Sequence, residues 1–92
     1  MLLVHLPLAS DTGLAGTESE AALLQDAIWV HAGPQHSLEH IRVRPVEHGM
    51  NVALFVRADN LADARVKARS LLSHVIGARA ARGYRLADSR QG

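Results

Sequence analysis

Hydrophobic and polar residues alternate over several segments of the chain, and this period of two predicts β-strands. Near the N-terminus one face of such a strand carries Leu2, Val4, Leu6 and Leu8. Residues 40–44 and 50–57 alternate in the same way. Between them, Glu47-His48-Gly49 predicts the turn of a hairpin with Gly49 in the left-handed conformation. Tyr84 and Leu86 could form a short last strand.

Two other segments have the spacing of amphipathic helices. The first begins with Thr17-Glu18-Ser19-Glu20, which predicts a capping box, and Gly33-Pro34 marks its end. The second follows Asn60, a suitable N-cap, with Asp63 and Lys67 spaced for an ion pair. Its apolar residues share one broad stripe: Leu61, Ala64, Ala68, Leu71, Leu72, Val75 and Ile76.

The order strand, helix, strand, strand, helix and short final strand predicts an α+β fold of the ferredoxin-like, split β-α-β type. In that fold both helices cover one face of an antiparallel sheet. The crossover between the first two strands leaves a slot between them for the third. The 92 residues are expected to form one domain spanning 1–92, with a polar C-terminal tail at 88–92.

Composition narrows the class of protein but adds little about function. Apolar residues make up 48% of the chain and charged residues 21%, which is typical of a globular domain. No apolar run is long enough to span a bilayer, so no membrane association is expected. The chain has no cysteine, which excludes disulfides, thiolate metal sites and a cysteine nucleophile. A cytoplasmic location is the default expectation.

Charge is distributed unevenly along the chain, although the net charge is only +1. Residues 1–41 contain acids but no Lys or Arg, whereas residues 42–92 contain all ten basic residues. Such asymmetry can mark a basic binding face or head-to-tail self-association. We favour the interpretation that the two halves fold against each other and that their fields partly cancel.

The predicted fold leaves one sheet face without helices, and we expect the function to reside there. Alternation places on this face Arg42, Arg44, Ala53, Phe55 and Arg57. A sheet exposed on one face commonly dimerises in this fold class. We therefore expect a homodimer without catalytic activity, which binds a partner protein or ligand through these residues.

Two alternatives remain open at this stage. The arginines favour a nucleic-acid-binding module, to which Arg79, Arg82 and Arg85 could contribute, but the paired aromatic motif of RNA-binding sheets is missing. The second alternative is a dimeric α+β-barrel enzyme, such as a monooxygenase or cyclase. His5, Trp29 and His31 could line its pocket between sheet and helices, although a Trp in the position of Trp29 is usually part of the core.

Further short patterns do not predict a catalytic or metal site. Asp11-Thr12-Gly13 matches the tripeptide that carries the catalytic carboxylate of aspartic proteases, but that chemistry needs an all-β scaffold, and we interpret the tripeptide as a turn. The histidines lack cysteine partners and an HExxH pattern, so they are expected on loops and on the surface: His5, His31, His36, His40, His48 and His74. We predict no catalytic residue, no metal and no cofactor.

Overall fold

The structure is a computed structural model, and it describes residues 1–78 and 83–87. These residues form an α+β fold with four strands, two α-helices and one short 3-10 turn. The elements in chain order are β1 (Leu2–Ser10), α1 (Glu18–His31), the 3-10 turn (Pro34–His36), β2 (Leu38–Val46), β3 (Gly49–Val56), α2 (Leu61–Gly77) and β4 (Tyr84–Leu86). The predicted polar tail at 88–92 lies outside the described residues.

The four strands form one antiparallel sheet in the order β2-β3-β1-β4. As predicted, β3 occupies the position between β1 and β2. β1 pairs with β3 from Leu2 opposite Val56 to Ala9 opposite Gly49. On its other side β1 pairs with the short β4, which confirms that the segment around Tyr84 and Leu86 is a strand.

Gly49 does not have the backbone conformation that the sequence pattern predicted. It is the first residue of β3, and its φ is not in the left-handed region. The residue is small for a different reason, since a β-carbon at this position would overlap the carbonyl oxygen of Leu8 on β1. Close approach of two strands, rather than a turn, requires this glycine.

The starts of both helices match the sequence prediction. The Thr17 hydroxyl oxygen accepts the Glu20 backbone N–H at 3.1 Å, and the Glu20 carboxylate accepts the Thr17 N–H at 3.1 Å. At the start of α2, the Asn60 side-chain oxygen accepts the Asp63 N–H at 2.8 Å. The predicted pair on α2 is also present, with Lys67 Nζ 3.3 Å from Asp63 Oδ2.

Both helices pack against the same sheet face, because one cluster of buried residues joins them to alternate positions of the strands. The strands contribute Val4, Leu6, Leu8, Ile41, Val43, Met50, Val52, Leu54 and Val56, and the helices contribute Ala21, Leu24, Ile28, Ala64, Ala68, Leu71, Leu72 and Val75. Each large apolar side chain in such a core stabilises the fold by about 1.5–3 kcal/mol relative to its exposed state. No described helix covers the opposite sheet face.

Two residues expected in the core are exposed. Trp29 is 42% exposed, because it follows the buried Ile28 and is rotated about 100° around the helix axis from it. Leu61, at the start of the α2 stripe, is 44% exposed and lies with Arg65 and Arg69 beside β1. Neither α1 nor α2, the helices among the described residues, has the length and apolar content that a bilayer-spanning segment needs.

Candidate binding site on the open face of the sheet

The sheet face that the helices leave uncovered, here called the open face, presents its side chains in three rows. The first row joins His40, Phe55 and Leu3 across β2, β3 and β1. The second row joins Arg42, Ala53 and His5, and the third joins Arg44, Asn51 and Pro7. The register of the strands therefore gathers cationic, aromatic and small side chains from three separate segments onto one surface.

Ala53 forms the floor of this surface. Although it lies on the open face, its exposed fraction is only 8%, because the longer side chains of its row neighbours, Arg42 and His5, rise on both sides. The surrounding residues line a shallow depression of about 370 Å³. The depression is bounded by Leu3, His5, His40, Arg42, Arg44, Asn51 and Phe55.

Two side-chain contacts organise the walls of the depression. The rings of His40 and Phe55 lie with their centroids 5.4 Å apart and their planes tilted by 44°. Nδ2 of Asn51 lies 3.3 Å from Nδ1 of His5. Because an amide nitrogen only donates, His5 Nδ1 is the acceptor, and the ring hydrogen of neutral His5 is therefore on Nε2. His5 thus presents a donor beyond this contact.

The described residues that line the depression carry positive charge and no carboxylate. Among the described residues, Arg42 and Arg44 form no ion pair, and both are exposed. Arg57 differs from them, since its guanidinium donates to Glu39 Oε2 at 3.1 Å and it does not line the depression. Of the five site residues expected from the sequence, the structure brings together Arg42, Arg44, Ala53 and Phe55, and it places Arg57 at the rim.

Four further residues of the depression were not included in the predicted site: Leu3, His5, His40 and Asn51. Their signal was present in the sequence, because the same alternation that placed Arg42 and Phe55 on the open face also places these four there. What alternation does not give is the register between strands. Only the register sets His40 beside Phe55 and His5 beside Ala53.

The histidines outside the open face do not form a metal site. The described residues contain no group of three His, Asp or Glu side chains arranged to hold a metal ion.

His36, expected on the surface, is instead 4% exposed within the 3-10 turn, and its Nδ1 accepts the Gly33 N–H at 3.0 Å. Burial, and to a lesser extent the nearby His74, lowers the pKa of His36. His74 also contacts His31 edge to face, with ring centroids 5.2 Å apart.

The residues considered for catalysis from the sequence lie apart from one another in the described structure. His5 lies on the open face, whereas Trp29 and His31 belong to α1 on the opposite side of the sheet, so the three do not converge. Asp11 sits in an exposed turn, where the Ser10 hydroxyl accepts the Thr12 N–H at 3.2 Å. Its carboxylate lies 3.5 Å from Arg85 Nη1 and forms an ion pair at the surface. Both contacts agree with the interpretation of Asp11-Thr12-Gly13 as a turn.

A second and larger concavity of about 960 Å³ lies where the hairpin between β2 and β3 meets the end of β1. It shares Arg42, Arg44 and Asn51 with the depression on the open face. Unlike the depression, it is also lined by the acids Glu18 and Glu47. Arg42 and Arg44 therefore lie between the two concavities. Among the described lining residues, carboxylates are found in the larger concavity and not in the depression on the open face.

Comparisons of this chain with protein-family models, with curated proteins and with solved structures found no match. The physical features of the open face are consequently the basis for assigning a function. These features are two arginines without an acidic partner among the described residues, an aromatic pair and a small-residue floor, all on a sheet face without helices.

Proposed function

We propose that the protein is a small, non-catalytic cytoplasmic domain of the ferredoxin-like class that forms a homodimer through its open face and binds a partner protein or ligand there. The observation that carries the proposal is a whole sheet face without helices, with Leu3 and Phe55 in one row and Ala53 in the next. The strand order β2-β3-β1-β4 with two helices on one face supports the fold assignment.

The size of the open face suits a dimer interface. The molecule measures 36 × 31 × 20 Å, so a broad face of a two-layer structure can supply the roughly 800 Å² per partner that a standard interface buries. Leu3 is 43% exposed and Phe55 is half-buried, so apolar area remains to be removed from water. Each partner would contribute both side chains to the interface.

Pairing through the free edge of β2 is less favourable than pairing through the face. β2 is an edge strand of the described sheet, and Val43 on it donates its backbone N–H to the side-chain oxygen of Gln25 on α1 at 3.2 Å. Pro45 on the same strand has no N–H to offer. Blocked or missing donors are the usual protection of an edge against strand addition. These features disfavour strand addition at the edge of β2 and favour association through the face.

The first prediction tests this interface with one substitution on each side of the molecule. Leu3→Lys would add two positive charges to an interface that already contains Arg42 and Arg44, so we expect the variant to be a monomer by size-exclusion chromatography with light scattering. Leu23→Lys is the matched control, because Leu23 is exposed on α1, away from the open face, and its dimer should persist. Circular dichroism of both variants checks that the helices are retained.

The wild-type protein itself provides the decisive outcome. Light scattering should give the eluting wild-type protein a mass twice the 9.9 kDa of one chain. A wild-type protein that stays monomeric at high concentration would exclude self-association. A dimer that Leu3→Lys leaves intact would show that the open face is not the interface.

A nucleic-acid-binding module is the second candidate, since Arg42 and Arg44 flank a depression that contains the ring of Phe55. Sheets that bind single-stranded RNA stack two or three bases on aromatic side chains of their middle strands. Here β1, a middle strand, carries Leu3 and His5 in the rows of Phe55 and Ala53. Phe55 is thus the single Phe, Tyr or Trp among the residues that line the depression, whereas RNA-binding sheets present two or more such rings. This candidate therefore ranks below the first.

A further inference from the structure

We propose that the open face binds a small anionic ligand with a planar apolar body, held by Arg42 and Arg44 above Ala53 and against the rings of Phe55 and His40. The inference rests on the proposed use of the open face for binding and names the chemical class of the ligand. Three independent features of the depression support it: its charge, its hydrogen-bonding groups and its shape.

The four arginines on the strands and at their ends differ in whether an acidic side chain lies beside them. Arg57 pairs with Glu39, and Arg85 lies near Asp11, so the chain itself supplies acids for these two. Among the described residues, Arg42 and Arg44 have no such partner, and no carboxylate lines the depression. A concave surface that collects positive charge without balancing it attracts anions.

The hydrogen-bonding groups around the depression are mainly donors. The guanidinium groups only donate, and their planar fork matches a carboxylate or a phosphate. Arg42 and Arg44 are two residues apart on the same face of β2, which separates their α-carbons by about 6.6 Å. His5 adds the Nε2–H that its contact with Asn51 leaves available. Such a set suits a group of acceptor oxygens with negative charge.

The shape of the depression suits a small ligand with a flat body. Its volume of about 370 Å³ lies at the lower end of the roughly 300–1,000 Å³ found for small-molecule sites. Ala53 provides a flat floor because its side chain ends at the β-carbon. The rings of Phe55 and His40 stand beside this floor and offer faces and edges to a planar partner.

Ligand binding and dimer formation are expected to favour each other. In a face-to-face dimer, the unpaired arginines of both copies would approach one another, and like charges in a partly desolvated interface repel. An anion bound between them removes this repulsion. By linkage, a ligand that strengthens the dimer must also bind the dimer more tightly than the monomer.

The second prediction tests the site with a defined probe, 1-naphthoate, and its neutral analogue, 1-naphthamide. We expect 1-naphthoate to shift the backbone amide signals of the open-face residues of ¹⁵N-labelled protein in NMR spectra at low salt. The neutral analogue should bind at least about tenfold more weakly. The double variant Arg42→Gln/Arg44→Gln should lose at least about the same factor, whereas the control Lys67→Gln on α2, which removes a positive charge beside Asp63, should bind like the wild type.

Several outcomes would overturn the inference. Equal affinity for the acid and the amide would exclude charge recognition, and unchanged affinity in Arg42→Gln/Arg44→Gln would place binding elsewhere. An eight-nucleotide oligothymidylate that binds about tenfold or more tightly than 1-naphthoate, with affinity falling steeply with salt, would identify a nucleic-acid surface instead.

Light scattering of the same samples separates this inference from the proposed self-association. Binding of 1-naphthoate at the open face by a protein that remains a monomer would support the ligand site and contradict the homodimer. A dimer that binds no 1-naphthoate would contradict the ligand site and leave the homodimer standing.

Discussion

His36 shows how strongly one side chain can depart from the expectation for its residue type. The sequence places it after a helix stop, where a histidine is usually exposed, yet it is buried in the 3-10 turn. Its Nδ1 accepts the Gly33 N–H, which requires a ring that is unprotonated at this nitrogen. Burial, reinforced by His74 on α2, lowers its pKa below the ordinary value of about 6.5. The native state therefore favours neutral His36.

The third prediction follows from this pKa shift. Because the folded pKa is depressed, the unfolded chain binds the proton more readily, so stability is fully present above pH 6.5. Stability falls as pH decreases below that value towards the folded pKa of His36. We expect the free energy of unfolding in urea to decline from about pH 7 to about pH 5. Part of this decline should disappear in His36→Gln.

The comparison of His36→Gln with the wild type isolates the contribution of this side chain to the slope of stability against pH. An identical slope in His36→Gln and the wild type would contradict the proposed role of buried, neutral His36.

For single residues, the sequence predicted which side chains lie on the open face better than it predicted which side chains they contact. Alternation alone placed Arg42, Arg44 and Phe55 correctly, because successive side chains of a strand point to opposite faces. The ion pair of Arg57 with Glu39 was not predictable in this way, since it joins the residue after β3 to β2, and the register of these two strands includes an irregularity between Leu38 and His40. Such pairs depend on long-range geometry.

Among the elements, helix starts were predicted most accurately because the signals are local. Thr17 and Asn60 each bond to a backbone N–H three residues further on, and both bonds are visible as sequence patterns. Gly49 was harder, since the reason for the glycine is the backbone of β1, some forty positions earlier in the chain. Local patterns therefore predict where elements begin, and contacts between strands decide how they fit.

The fourth prediction concerns the first turn of α1, which also contacts β4. Glu20 Oε1 accepts from the backbone N–H of Thr17 and from the Tyr84 hydroxyl, the latter at 3.0 Å. Thr17→Ala removes the hydroxyl that satisfies the Glu20 N–H, so we expect a loss of about 1 kcal/mol in the free energy of unfolding by urea denaturation. Ser19→Ala, at the exposed second position of the helix, is the control and should change stability little. Equal stability of the two variants would contradict a stabilising capping box.

At the scale of the whole molecule, the uneven charge along the sequence is partly balanced by folding. Glu39 and Asp11, from the acidic half, lie within ion-pair distance of Arg57 and Arg85, from the basic half. The expectation that the two halves neutralise each other is therefore met at these two places. Arg42 and Arg44 form no ion pair with a described residue, which leaves their positive charge on the open face.

The fifth prediction follows from this residual charge and the proposed homodimer. Two copies joined through their open faces bring two like-charged surfaces together, so self-association without ligand should strengthen as salt screens the arginines. Arg42→Gln/Arg44→Gln should produce the same strengthening at low salt, whereas Lys67→Gln on α2, beside Asp63, should not. Sedimentation equilibrium at low and high ionic strength measures the dimer dissociation constant for each protein. A dimer that weakens with salt in the wild type would instead mean that attraction between opposite charges holds the two copies together, and the arginine-bearing face would then not be the interface.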